Sequence, residues 1–130
     1  MTYSMQKLGY PVIAVDIDPD RAREFIDKHG LTVLKNDIEY EGIAFGDNSF
    51  ELVIFSEILE HLRIDPLSTL REILRVLTPG GTLILSTPNL YSIGCIIKFN
   101  TGRGLNDPYR EFEKLHSLGL IRIYSAGEVK

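Results

Sequence analysis

The chain contains one cysteine, no tryptophan and no long apolar run among its 130 residues. Cys95 alone allows neither an intrachain disulfide nor a metal site built from cysteines, so a reducing cytoplasm is the simplest environment for it. The apolar run at 93–97 is far shorter than the roughly 20 residues that cross a bilayer. Residues 1–8 lack the pattern of a secretory signal. We therefore expect a soluble, cytoplasmic protein without a membrane span.

Positive charge is also scarce, because 18 acidic residues outnumber 14 basic ones and the net charge is −4. Nucleic-acid binding relies on a cationic surface that neutralises phosphates. The composition, with 44% hydrophobic and 25% charged residues, is that of an ordinary globular protein. We expect a single domain over residues 1–130 that does not bind nucleic acid.

Short runs of β-forming residues alternate with helical patterns along the chain. This alternation is typical of parallel βαβ units and predicts an α/β fold. The predicted strands cover 11–16, 31–34, 50–55 and 82–86. Between 88 and 106 the apolar spacing favours a short helix, whereas the glycines favour a loop.

Three Asp-Pro pairs mark predicted helix starts, at 18–19, 65–66 and 107–108. Aspartate can cap free N–H groups, and proline fits the first turn because its missing N–H costs nothing there. The first helix should end at Gly30 and the second at Pro79-Gly80-Gly81, by a turn. The residues expected to be buried are Ala22, Phe25 and Ile26 in the first helix and Leu67, Leu70, Leu74 and Leu77 in the second.

Both ends of the chain carry helix-end signals. Met5, Leu8 and Gly9 are typical of the last turn and C-cap of a helix. Ser125 with Glu128 forms a capping box, which is typical of a helix start. We therefore expect each terminus to cut through an element, so that the chain is a fragment.

Four stretches follow one another in a fixed order, namely FGDNSFELV at 45–53, LEHL at 59–62, RVLTPGGTL at 75–83 and STPN at 86–89. In this order they resemble class I S-adenosylmethionine-dependent methyltransferases of the methyltransferase type 11 kind. The resemblance implies a Rossmann-like, mostly parallel sheet with flanking helices, in an incomplete methyltransferase fold. It makes 9–89 the cofactor-binding core and 90–130 a truncated substrate-side insertion or lid. Leu120 stands where the family often has histidine.

The resemblance also implies S-adenosylmethionine as cofactor, bound outside the carboxyl ends of the strands. Asp16 would accept both ribose hydroxyls, since an ionised carboxylate only accepts. Asp18 should cap the following helix and leave Asp16 free. Asp37 would accept from the adenine amino group. The other residues expected to contact the cofactor are Ile17, Ile38 through its N–H, Ser56 and Glu57.

Glu57, Glu60 and His61 are spaced so that a helix could bring them together around a metal. A zinc-protease motif needs two histidines there, so we predict no metal and favour a surface or supporting cluster. His61 and Glu57 are the catalytic candidates. Methyl transfer is an in-line displacement that depends on positioning more than on a particular base. The expected acceptor is a small or lipid-like molecule.

Nothing before Gly9 resembles the family's first strand and glycine loop, which in the family lies between its second and fourth strands. Residues 11–16 and 50–55 then pair with each other, leave open edges, or receive a strand from a homo-oligomer or a partner chain. This predicts impaired methyl transfer.

Two alternatives remain open. One is a non-catalytic Rossmann-like module or subunit that completes its fold with a partner chain. The other is a nicotinamide-dependent dehydrogenase, which also uses an acid after its second strand. The position of Asp37 and the 75–81 motif argue against the dehydrogenase.

Overall fold

The computed structural model describes residues 1–89 and 92–101, apart from the side chains of residues 95 and 99. The helices in those ranges are α1 (Thr2–Lys7), α2 (Arg23–His29), α3 (Pro66–Val76) and α4 (Ile93–Asn100). The strands are β1 (Ala14–Asp16), β2 (Val33–Lys35), β3 (Phe50–Ser56) and β4 (Leu77–Ser86). Two 3-10 turns cover Pro19–Ala22 and Leu59–His61. This order confirms the predicted α/β class.

Some predictions lie outside the described residues. These are the helix start at 107–108, the capping box at Ser125 and the comparison at Leu120. Helix α4 falls in the ambiguous stretch, where the apolar spacing favoured a helix. None of the helices in the described ranges is long and apolar enough to span a bilayer.

The four strands form two separate parallel pairs. Strand β1 pairs with β2, with Ala14 opposite Val33, and β3 pairs with β4, with Phe55 opposite Leu85. The pairs belong to different sheets, so β1 and β3 do not pair with each other. Of the arrangements that the sequence left open, the structure shows open edges on β1 and β3 within the described residues.

Strand β4 begins earlier than predicted. Helix α3 ends at Val76 and β4 starts at the next residue, so the predicted turn at Pro79-Gly80-Gly81 lies inside the strand. Gly80 does adopt a positive φ of 80°, which glycine tolerates without steric cost. The ladder jumps from Phe50 opposite Leu77 to Leu52 opposite Thr82, so the intervening residues form a bulge.

The hydrophobic core lies between α3 and the β3–β4 pair. Its buried residues are Phe55, Leu59, Leu62, Ile73, Val76 and Leu77. The predicted stripe on α3 is wrong for Leu67 and Leu74, which are 62% and 64% exposed. The buried face of α3 instead carries Thr69, Ile73 and Val76. Both stripes satisfy helical spacing, and contact with β3 and β4 decides between them.

Helix α2 packs more loosely than predicted. Phe25 is 48% exposed and its ring contacts those of Tyr3 and His29. Ala22 is also exposed, so the predicted stripe is not buried. Gly30 ends the helix in the left-handed conformation, as predicted.

Candidate functional site

A cavity of about 840 Å³ lies between β1 and β3, and we call it the central cavity. Along its length it is lined by residues 10–17 and 50–56. At the end where these strands finish, residues 36–39, Ile58 and His61 also line it. Its volume falls within the range of small-molecule sites.

Most of the predicted cofactor residues line this cavity. They are Asp16, Ile17, Asp37, Ile38 and Ser56. The strand ends are tied together directly, because the Asn36 N–H donates to the Asp16 carbonyl at 3.0 Å. The structure therefore brings the acids that follow β1 and β2 to the same cavity as the end of β3. Parallel strands make this arrangement, since their carboxyl ends meet at one edge.

Asp16 has a hydrogen-bond partner that the sequence did not indicate. Its Oδ1 accepts from the Asp18 N–H at 2.7 Å. Asp18 makes no side-chain capping bond and instead pairs with Arg21 at 3.1 Å. The expected division of roles is therefore wrong, because Asp16 itself stabilises the turn after β1. An ionised carboxylate has about four acceptor sites, so Asp16 retains capacity for a ligand.

Asp37 is half-buried and organises its own loop. Its Oδ1 accepts from the N–H groups of Glu39 and Tyr40, at 3.1 and 3.4 Å. Glu41 closes the loop by accepting from the Asp37 N–H at 3.3 Å and from Asn36 Nδ2 at 2.8 Å. Asp37 thus lines the cavity and also shapes the turn that holds it there.

Glu57 lies at the end of β3 but does not line the cavity. Its φ is 56°, an uncommon value for a residue with a side chain. Glu57 Oε1 accepts from the Ser86 hydroxyl at 2.9 Å, and that hydroxyl is also 2.7 Å from the Ser56 hydroxyl. Of the two catalytic candidates, the structure places only His61 at the cavity.

A buried carboxylate lies beside His61. We expected this residue only as part of a surface or supporting cluster. Glu60 is 2% exposed and accepts from the Thr87 hydroxyl at 3.0 Å. Its Oε1 lies 4.0 Å from Nε2 of His61. The signal for the burial of Glu60 was its position in the LEHL stretch at 59–62, between two leucines. Glu57 precedes the 3-10 turn and shares no helix face with these residues. Among the described residues no metal-binding group of three or more candidate ligands occurs.

Comparison with known proteins identifies the family. The model of the methyltransferase domain family matches residues 1–85, which is well over half of the chain. The chain belongs to the class I S-adenosylmethionine-dependent methyltransferases. Its parallel strand pairs and flanking helices are accordingly a Rossmann-like arrangement.

Two proteins of similar sequence are also named as methyltransferases. This methyltransferase chain is 33% identical over 93 residues to the ubiquinone biosynthesis O-methyltransferase of Methylococcus capsulatus, covering 68% of the chain and 39% of that protein. It is 38% identical over 80 residues to the uncharacterized methyltransferase YodH of Bacillus subtilis, covering 59% of the chain and 34% of that protein.

Solved structures share the fold. A Thermotoga maritima crystal structure, titled a SAM-dependent methyltransferase and possible histamine N-methyltransferase, matches with a TM-score of 0.65 and 25% identity. The match covers 90% of this chain and 49% of that one. The methyltransferase chain thus spans less than half the length of these relatives.

Proposed function

We propose that the central cavity binds S-adenosylmethionine at its strand-end side, and that the protein serves methyl transfer to a small or lipid-like acceptor. The observation that carries this proposal is the meeting of Asp16 and Asp37 at one cavity beyond the ends of parallel strands. Both side chains accept hydrogen bonds, and an adenosine offers donors in its ribose hydroxyls and its amino group.

The residues present fit such a ligand. Asp16 would hold the ribose, while the exposed Ile17 side chain would lie against the base. Asp37 and the Ile38 N–H would take the polar edge of the adenine. The cofactor supplies an electrophilic methyl group, and the chain's contribution is to hold the acceptor in line with it. His61, at the same cavity beside buried Glu60, is the candidate for orienting the acceptor.

The proposal includes weak binding and impaired turnover. In residues 1–89 and 92–101 the strand edges that bound the cavity have no partners, so a continuous sheet does not fix its walls there. Binding has to offset the entropy of ordering those walls. The ubiquinone biosynthesis relative supports a small or lipid-like acceptor. We also place the protein in the cytoplasm, where the single cysteine stays reduced. Residues 9–89 form the cofactor-binding core of this proposal, and residues 90–130 form the substrate-side insertion or lid.

Asp16→Ala tests the cofactor site in the full chain. Losing a hydrogen bond to a charged group costs about 1.5–3 kcal/mol, so S-adenosylmethionine should bind roughly 10- to 150-fold more weakly. Asp18→Ala is the matched control, because Asp18 lies two residues away and does not line the cavity. Amide chemical-shift titration measures both dissociation constants.

Three results would contradict the proposal. Equal weakening by both substitutions would remove the site assignment. Micromolar affinity of the unmodified chain in calorimetry would contradict impaired binding. A preference for NAD over S-adenosylmethionine in thermal-shift comparison would favour the dehydrogenase alternative.

The edges of β1 and β3, which are open in the part of the chain that the structure describes, favour a second candidate function. This is a non-catalytic module that completes its fold with a partner chain. A module of this kind has no need of the cofactor. Absence of any shift in the Ile17 and Ile38 amides at millimolar S-adenosylmethionine would select it over the methyltransferase.

A further inference from the structure

We propose that Ser56 offers only hydrogen-bond acceptor sites to the central cavity, so that the methyl acceptor carries an O–H or N–H group at this point. Three polar side chains, which end in a carboxylate, set this direction. The inference deepens the proposed function and rests on it, because it names the chemical class of the acceptor. In it Ser56 contacts the acceptor, and Ser86 and Glu57 are positioning residues that act through Ser56.

The last residues of β3 and β4 bring two hydroxyls together. Ser56 lies opposite Ser86 in the parallel ladder, and their Oγ atoms are 2.7 Å apart, which is a hydrogen-bonding distance. Ser86 Oγ also donates to Oε1 of Glu57 at 2.9 Å. Ser56 lines the central cavity, whereas Ser86 and Glu57 do not. The hydrogen bonds therefore run from the cavity through Ser86 to Glu57.

Glu57 holds Ser86 through its backbone as well. The Glu57 N–H donates to the Ser86 carbonyl at 2.9 Å, and the φ of Glu57 is 56°. A positive φ is unfavourable for a residue with a side chain, and it persists only where the surrounding contacts enforce it. Here two hydrogen bonds to one residue supply such contacts. The Glu57 carboxylate is therefore fixed beside the Ser86 hydroxyl.

The number of available hydrogens fixes the direction of these hydrogen bonds. A serine hydroxyl has one hydrogen and two acceptor lone pairs, and an ionised carboxylate can only accept. Since the single hydroxyl hydrogen of Ser86 goes to Glu57, Ser56 must be the donor in the bond between the two serines. Ser56 then offers a ligand only lone pairs. The carboxylate charge strengthens this order, because hydrogen bonds to ionised groups are stronger and polarise the bonds next to them.

A polar group of a ligand that approaches Ser56 must therefore be a donor. Hydroxyl and amine groups meet this condition, whereas a ketone or ether oxygen would face lone pairs and stay unpaired, which is unfavourable. Apolar side chains such as Ile58 and Leu62 line the same cavity, so the expected acceptor has an apolar body and one donor. Asp16 and Asp37 are assigned to the adenosine, which leaves Ser56 to the acceptor.

Binding of an alcohol and of its matching ketone by the full chain, without cofactor, tests this direction. The probes are cyclohexanol and cyclohexanone, which share one carbon skeleton and differ because the ketone cannot donate. The amide chemical shift of Ser56 in a titration gives both dissociation constants. The unmodified chain should bind the alcohol about 3- to 10-fold more tightly, as expected for one neutral hydrogen bond.

Two alanine variants should equalise the probes in opposite ways. Ser56→Ala removes the acceptor oxygen, so the alcohol should weaken to the affinity of the ketone. Ser86→Ala keeps Ser56 but releases its hydrogen, so the ketone should gain affinity until it matches the alcohol. A general loss of packing would weaken both probes and could not produce this gain. Ser86→Thr restores a hydroxyl and should restore the preference. Thr82→Ala, at an exposed residue of the same strand, is the matched control and should keep it.

Equal binding of both probes by the unmodified chain would overturn the proposal. So would equal changes for alcohol and ketone in Ser86→Ala, or an unshifted Ser56 amide at millimolar concentrations of either probe. Weaker S-adenosylmethionine binding by Ser56→Ala would mean that Ser56 contacts the cofactor, and the assignment to the acceptor would be wrong. Because the probes are measured without cofactor, a failed Asp16→Ala test leaves the alcohol preference in place, and the two failures are distinguishable.

Discussion

Arg75 connects the loop before β3 to helix α3 through hydrogen bonds and ion pairs. Its guanidinium donates to the carbonyls of Phe45 and Ile43, at 2.8 and 2.9 Å. It also pairs with Asp47 at 2.9 Å and with Glu72 at 2.7 Å. Glu72 in turn accepts from the Ile43 N–H at 3.2 Å. A planar fork of donors suits this arrangement better than a lysine ammonium.

The Arg75 hydrogen bond, reinforced by the Ile43 N–H, lowers the pKa of Glu72 below its ordinary value. The hydrogen bonds to Glu72 and Asp47 raise the pKa of Arg75 above its ordinary value, so the guanidinium stays charged. A lowered folded-state pKa adds stability that is present above the unfolded value and is lost as the pH falls through the folded value.

Glu72→Gln should therefore reduce the acid sensitivity of the fold. As the pH falls below the ordinary glutamate value of 4.5, the unmodified chain should lose more melting temperature than the variant does. Thermal unfolding followed by circular dichroism measures the difference. Glu24→Gln, at an exposed residue of α2, is the control, and the same flattening there would remove the assignment to Glu72.

At the scale of elements, the orientation of α3 decides which of its leucines matter. Ile73 is 1% exposed and contacts the core, whereas its neighbour Leu74 is 64% exposed. Ile73→Ala should lower the free energy of unfolding by about 2–5 kcal/mol, because it leaves a cavity in a packed core. Leu74→Ala should change it by less than about 0.5 kcal/mol. Urea denaturation compares them, and equal losses would mean that α3 packs through the other stripe.

The two Asp-Pro helix starts should also differ in energy. Asp65 Oδ1 accepts from the Leu67 N–H at 3.0 Å, and removing such a cap costs about 1 kcal/mol. Asp18 lacks a capping bond and makes an exposed ion pair with Arg21, which contributes little. Urea denaturation should show a clear loss for Asp65→Ala and a small one for Asp18→Ala. A larger loss of unfolding free energy for Asp18→Ala than for Asp65→Ala would show that the helix caps are assigned wrongly.

At the scale of the whole molecule, the buried residues of the described ranges are concentrated between Phe55 and Leu77. The core cluster runs from Phe55 to Leu77. Among residues 1–54 the structure shows only Asn36 as fully buried. Few buried apolar contacts allow a region to open at low free energy cost. The β1–β2 pair should therefore open more readily than the β3–β4 pair.

Native-state hydrogen exchange measures this difference. The registers of the two parallel ladders direct the N–H groups of Ala14 and Asp16 to β2, and those of Val53 and Phe55 to β4. The first two amides should exchange at least about tenfold faster than the last two. Equal rates would mean that both pairs open in one cooperative step.

Local chemistry in the sequence was sufficient for the kinds of element and their order. Neighbouring residues determine several features without help from distant parts of the chain. These are the Asp65 cap, the left-handed Gly30 and the strands predicted at 50–55 and 82–86. The family motifs at 45–53 and 75–83 are equally local. The apolar runs at 11–16 and 31–34 placed Asp16 at the end of one strand and Asp37 after the next. The structure brings both residues to one cavity.

Only the tertiary structure decided how these elements meet. The buried face of α3 depends on β3 and β4, since two adjacent stripes satisfy the helical period equally well. The path of the chain after β1 decides that Asp16, and not Asp18, accepts a backbone hydrogen bond in the turn. The position of the end of β4 decides that the Glu57 carboxylate accepts from Ser86. Pairing of β1 and β3 was undetermined because strand partners are distant in sequence, and their contacts form only when the whole chain is in place.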